Sequence, residues 1–216
     1  MRQRKPAAPP ADGSIPKAVV NRLSLYLREL EHLVRDGYET TSSNRLGSVL
    51  GFTDAQVRKD LAYFGTFGTR GLGYEVADLS RKISEELGTS RLQPVILVGV
   101  GNLGLALLSY RGFEKEGFEI VAAFDVHPDR EHDKELKQSV YGMNELTPFV
   151  KRQNVKMAIL TVPASAAQEV ANHLVDAGIS GILNFSPIVL SVPEEVMVNN
   201  VNLAIELENL SYFTQE

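Results

Sequence analysis

Cysteine and tryptophan are both absent from the 216 residues. Without cysteine there is no disulfide framework and no thiolate metal site, and the composition suits a reducing cytoplasm. No apolar run approaches the roughly eighteen residues of a membrane span, so no membrane partner is expected. Histidine is scarce: His32, His127, His132 and His173 have no metal-like spacing, and no metal is expected. Residues 188–216 are too few to supply an acid, a base and an anion clamp, so no catalytic residues are expected and a small oxidoreductase is the weaker reading.

A hydrophobic content of 44% is ample for packed cores, and the length allows one or two domains. The net charge of −5 is unevenly divided. Residues 1–90 carry 13 Lys and Arg against 11 Asp and Glu, a balance of +2. Residues 91–216 carry 9 against 16, a balance of −7. Such asymmetry is a mild sign of a nucleic-acid module joined to something else.

The first fourteen residues are basic and then rich in Pro and Ala, with no apolar signal-like run, and read as a disordered arm. Over 17–36, Val19, Val20, Leu23, Leu27, Leu30 and Val34 are spaced for one helix face, ended by Asp36-Gly37. A second helix starts near Ser42 or Ser43 and stops at Gly51. A third has a capping box from Thr53 to Gln56 and runs to Phe64. The glycine-rich stretch 65–74 suits a hairpin, and 76–87 reads as helix. Three helices and such a hairpin describe a winged helix-turn-helix. In the third helix Val57, Leu61 and Phe64 would face the core, leaving Gln56, Arg58, Lys59 and Tyr63 on the other side. Arg and Lys suit guanine edges and phosphates, and Gln suits adenine. The plainer alternative is that Arg58 and Lys59 pair with Asp54 or Asp60 on a solvated face. Arg70, among three glycines, is either a minor-groove contact or a solubilising turn residue.

After a linker over 88–94 comes V-I-L-V-G-V-G-N-L-G. A β-branched strand running into G-x-G-x-x-G and then a helix is the dinucleotide-binding fingerprint. Gly99 makes the tight turn, Gly101 lets backbone approach a pyrophosphate, and Gly104 lets the helix pack on the strand. Val100, Asn102 and Leu103 complete the loop. Asp125, 21 residues past the third glycine, suits a ribose diol and repels a 2′-phosphate, which favours NAD(H). The alternatives are a helix cap at Asp125 and an NADP preference through Arg130. Strands are expected at 95–98, 119–124, 155–162 and 180–185, with helices at 102–111, 144–152, 164–177 and 203–213. That alternation predicts an α/β fold with a Rossmann-type, doubly wound parallel sheet. Thr161-Val162-Pro163 and Asn184-Phe185-Ser186-Pro187 lie at carboxyl edges of strands, where ligands bind such sheets, though Phe185 reads equally well as core.

Q-V-R-K-D-L-A-Y-F-G over 56–65 and T-R-G-L-G-Y over 69–74 resemble the Rex family of redox-sensing transcriptional repressors. So do S-S-x-x-L-G over 42–47, the fingerprint, L-T-V-P over 160–163 and L-N-F-S-P over 183–187. The resemblance covers the chain from about Ile15 onward. It implies a homodimer on double-stranded DNA with a pseudo-palindromic operator, released when NADH rather than NAD+ fills the Rossmann domains. By position, Ser42, Ser43, Arg58 and Lys59 fall among the DNA-facing residues and Arg70 on the wing. Tyr110 resembles the family tyrosine beside the nicotinamide, and Arg28 the arginine of the redox response. Asn202, next to Leu203, stands where some members carry an aspartate. The implied organisation is an arm over 1–14, a winged helix over 15–88, a Rossmann domain over 89–200 and a domain-swapped helix over 201–216. A CoA-binding module shares the glycine-rich turn and is the second rival; Asp125 argues against it.

Overall fold

The computed structural model describes residues 15–65, 67–68, 72–129 and 136–214. The arm expected over 1–14 lies outside them, as do Arg70 and Arg130. The chain divides into two compact units, one up to Arg91 and one from Leu92.

In the first unit, α1 (Lys17–Arg35) buries Val19, Leu23, Tyr26, Leu30 and Leu33. The buried stripe therefore runs through Tyr26, and the expected Val20 and Val34 stand exposed at its margins. Gly37, in the left-handed region at φ +76°, turns the chain into β1 (Thr40–Thr41). Helix α2 (Ser43–Leu50) begins where the Ser42 hydroxyl accepts the Arg45 N–H. Helix α3 (Asp54–Leu61) is capped in the same way by Thr53. The expected extension to Phe64 tightens into a 3₁₀ turn over Ala62–Phe64.

Residues 66 and 69–71 of the hairpin expected within 65–74 lie outside the described residues. The described pairing joins β2 (Tyr74–Glu75) antiparallel to β1. Gly73 makes this join at φ +83°, where a Cβ would strike the Thr41 carbonyl. Helix α4 (Val76–Glu86) then packs Val76, Leu79 and Ile83 against Leu23, Leu30, Leu46 and Val57 in one core.

The second unit is a six-stranded, wholly parallel sheet. Its strands are β3 (Gln93–Val98), β4 (Phe118–Asp125), β5 (Val140–Gly142), β6 (Met157–Leu160), β7 (Gly181–Asn184) and β8 (Met197–Asn200), in the order β5-β4-β3-β6-β7-β8. Helices α5 (Asn102–Ser109), α6 (Gly112–Lys115), α7 (Leu146–Gln153) and α8 (Ala164–Ala177) complete it, and α9 (Leu203–Phe213) follows. Successive residues of β3 face opposite ways. Ile96 and Val98 join Phe149 of α7 and Leu174 of α8, while Val95 and Leu97 join Leu108 of α5. A core on each face is what a doubly wound sheet requires. The strand expected over 155–162 spans only Met157–Leu160; Thr161 still donates its N–H to the Val98 carbonyl at 2.9 Å, and Pro163 then leads into α8. Strands β5 and β8 and helix α6 were not expected; they are short pieces without clear alternation.

Candidate functional site

Strand order reverses around β3, whose neighbours are β4 and β6, and ligands of such sheets bind outside the carboxyl ends at that switch point. Three glycines shape the loop there in three ways. Gly99 turns at φ +101°, and a Cβ on it would lie 2.8 Å from Val162 Cγ1 and 2.9 Å from the Thr161 carbonyl oxygen. A Cβ on Gly104 would collide with the Gly99 carbonyl, so α5 sits directly on the turn. Gly101 is exposed, and a Cβ there would meet nothing within 4 Å. Helix α5 starts just after it with no side-chain cap. An uncapped helix N-terminus beside open space is suited to a phosphate group.

Around this loop the expected residues divide by what they do. Val100 is buried, while Asn102 and Leu103 are exposed at the start of α5. The Asp125 carboxylate accepts the Val100 N–H at 2.7 Å and the His127 N–H at 2.8 Å. No helix begins among residues 126–129, so it caps none there. Thr161 donates its hydroxyl to the Gly99 carbonyl at 2.7 Å and braces the turn, with Val162 against Gly99. Asn184 is fully buried: its amide donates to the Ile188 carbonyl and to Asn200 Oδ1, and its Oδ1 accepts the Ser186 N–H. Ser186 donates to the Val162 carbonyl at 2.6 Å. The polar atoms of Asn184 and Ser186 thus hold the crevice wall together. Phe185 is half-buried against the core that contains Leu97 and Ile159, and Pro187 is exposed.

Tyr110 is 60% exposed, its ring edge-on to Phe113 at 5.1 Å. Asn202 caps α9, its Oδ1 accepting the Ala204 N–H at 3.0 Å. Helix α9 buries none of its side chains: Leu203, Leu207, Leu210 and Phe213 are 64%, 65%, 61% and 81% exposed. In the first unit Arg28 is exposed on α1.

On α3, Arg58 is exposed and donates to Asp54 at 2.8 Å and to Ser43 at 3.1 Å. The Asp54 pairing holds that carboxyl below its usual range, chiefly through the hydrogen bond from Arg58. Lys59, Tyr63 and Ser43 are half-exposed and Ser42 is exposed. Gln56 differs from the reading of a purely outward residue. It is half-buried and donates its amide to Asp60 at 2.7 Å.

Asp60 belongs to a cluster that sequence reasoning missed. Its carboxylate is fully buried and accepts from Arg22 Nε at 2.5 Å, Arg22 Nη2 at 2.8 Å, Tyr26 Oη at 2.9 Å and Gln56. Burial pushes the Asp60 carboxyl up, but the hydrogen bonds from Arg22, Tyr26 and Gln56 outweigh it and leave the group below its usual value. Burial and the bond to Asp60 raise the Tyr26 hydroxyl well above its usual value. A usable signal was present: Asp60 sits between Val57 and Leu61 in register with the core face.

Comparison with known proteins agrees with this division. Residues 14–62 match the family described as putative DNA-binding protein N-terminus, and residues 90–188 match the CoA binding domain family. The redox-sensing transcriptional repressor Rex of Pelotomaculum thermopropionicum is 45% identical over 92% of this chain and 93% of its own. That of Carboxydothermus hydrogenoformans is 47% identical over 92% and 95%. Among solved structures, the Rex-family repressor RSP in complex with β-NAD+ and operator DNA has a TM-score of 0.86. Its identity is 37%, over 93% of this chain and 92% of that one. The RSP complex with β-NADH has a TM-score of 0.81 at 36% identity, over 92% and 93%. Fold and site together define a helical DNA-binding type of domain joined to a Rossmann-type nucleotide domain. The chain belongs to the Rex family of redox-sensing transcriptional repressors.

Proposed function

We propose that this chain is a cytoplasmic, homodimeric repressor, not an enzyme, that binds a pseudo-palindromic operator and leaves it when NADH binds. The observation that carries the reading is the uncapped start of α5 beside open space at Gly101, in a chain whose relatives are redox-sensing repressors. Those residues fit a dinucleotide. The 99–104 backbone would hold the pyrophosphate, Asp125 the ribose diol, and Thr161 would keep the turn in place. NAD+ and NADH differ at one ring, a cation when oxidised and neutral when reduced. Burying an unpaired cation costs several kcal/mol, so an apolar wall selects the neutral ring. Phe185 and Leu203 would provide such a wall with Tyr110 at its margin, and Arg28 is assigned to the response by family resemblance. Asn202 carries no charge, and the selection therefore rests on desolvation rather than on a carboxylate partner. Moving a population from 1% to 99% in the released state takes a differential affinity of about 5.5 kcal/mol.

DNA contact falls to Gln56, Arg58 and Lys59 of α3 with Ser42, Ser43 and Tyr63, and family resemblance adds Arg70. Titrating NADH and CoA side by side tests the ligand. Tight CoA binding with no response to NADH would favour the reading suggested by the CoA-binding family match.

A further inference from the structure

Arg58 is held by two acceptors at a single nitrogen. Its Nη1 donates to Asp54 Oδ2 at 2.8 Å and to Ser43 Oγ at 3.1 Å. Nη1 carries two N–H groups, so these two bonds use both of them. Nε and Nη2 make no bond among the described contacts, and the side chain is exposed. The fork of Nη1 with Nη2 at the tip of the guanidinium is therefore closed. The other fork, Nε with Nη2, stays open: two donors in one plane, which suits the O6 and N7 acceptors of guanine.

The two holders sit on different elements. Asp54 is the first residue of α3, four residues before Arg58, and Ser43 is the first residue of α2. Ser43 is itself tied to β2: burial pushes the Tyr74 hydroxyl up, and the Arg58 charge and a hydrogen bond with Ser43 pull it back. These bonds draw the guanidinium toward the N-terminal end of α3, the end that reaches base edges when a recognition helix enters the major groove. An ion pair on a solvated helix face is the plainer account of Asp54. It leaves unexplained the second acceptor, supplied to the same nitrogen by another helix.

We propose that Asp54, together with Ser43, is a positioning residue that holds the Arg58 guanidinium with its Nε/Nη2 edge open to the groove and so makes Arg58 selective for guanine. A long side chain loses rotamer freedom on binding, and one already held loses less. The inference rests on reading Arg58 as a major-groove contact.

The test uses the full-length protein and an operator selected from random duplexes, with every position of a half-site varied. Asp54 is partly exposed and α3 keeps its Thr53 cap, so Asp54→Ala retains the fold. Arg58→Ala locates the base pair that Arg58 reads, as the position where discrimination relaxes about fivefold to tenfold. There, wild type should lose the same factor when guanine is replaced by 7-deazaguanine, which lacks the N7 acceptor. In Asp54→Ala the 7-deaza loss should shrink to less than about twofold. In the Arg58→Ala background, adding Asp54→Ala should change discrimination no further. An Asp54→Ala protein that keeps the full 7-deaza loss would overturn the positioning role and leave Arg58 as the reader. So would an equal change in affinity for every sequence, which would reduce Asp54 to a charge that repels phosphates. No 7-deaza loss in wild type would overturn the fork. Discrimination unchanged at every position in Arg58→Ala would overturn the reading of Arg58 itself, and the proposal with it.

Discussion

Asp125 and Val100 are joined where β4 ends and the glycine loop begins, the carboxylate accepting the loop N–H at 2.7 Å. The bond ties the acidic residue to the glycine loop. Of roughly four lone-pair sites on the carboxylate, two are occupied by Val100 and His127, and the proposed ribose diol would take the other two. Asp125→Ala removes both functions. Hydrogen bonds to charged groups contribute ~1.5–3 kcal/mol, so NADH affinity should fall about tenfold to a hundredfold, with a narrower preference over NADPH. Calorimetric titration of both nucleotides checks this, and an unchanged NADH affinity would remove Asp125 from the site.

The glycines of the loop should respond differently to enlargement. Gly101 faces open space, so Gly101→Val should leave thermal stability close to wild type while abolishing nucleotide binding. Gly104 lies against the Gly99 carbonyl, so Gly104→Val should lower stability as well, by ~1–3 kcal/mol or more as for other overpacked sites. Melting curves paired with NADH titrations separate the two. A Gly101→Val protein that still binds NADH normally would contradict the placement of the pyrophosphate.

Asp60 gives a pH signature. Its carboxyl lies below the ordinary value in the folded chain, so the stabilisation is complete above the unfolded value of about 3.9 and is lost as pH falls through the folded value. At pH 7, Asp60→Asn should cost ~3–5 kcal/mol, because it leaves the Arg22 charge without its partner. The gap between wild type and variant should shrink as pH drops below about 4. Chemical denaturation across pH 2–7 measures it, and a gap that stays constant would mean that Asp60 is not the group responsible.

How much of this was legible beforehand depended on where the physical signal was carried. Caps and fingerprints are local: Ser42, Thr53 and 99–104 stand where the spacing put them, and α8 and α9 keep their expected bounds. Edge strands β5 and β8 were invisible because three- and four-residue pieces such as Met197–Asn200 bury little and carry no alternation. The bonds of Asn184 and Ser186 to the crevice wall were not legible, because position at a strand end does not show which backbone groups a polar atom meets. Arg22 and Asp60 lie 38 residues apart, and only folding brings them together.

Helix α9 carries an assembly prediction. Four large apolar side chains on one stripe, each more than 60% exposed, forgo ~1.5–3 kcal/mol apiece unless covered. An exchanged helix in a homodimer would cover them. Removing residues 201–216 should give monomers with sharply weakened operator binding. Sedimentation checks it, and a truncated chain that remains dimeric would contradict the exchange.

The central claim is that NADH and NAD+ act differently on DNA binding, and one titration addresses it. Operator affinity is measured at a single fixed salt concentration, since phosphate contacts make affinity strongly salt-dependent. The protein carries NADH, NAD+ or neither. The account expects NADH to weaken operator binding at least tenfold at concentrations where NAD+ leaves it intact. Equal operator affinity with saturating NADH and with saturating NAD+ would contradict it.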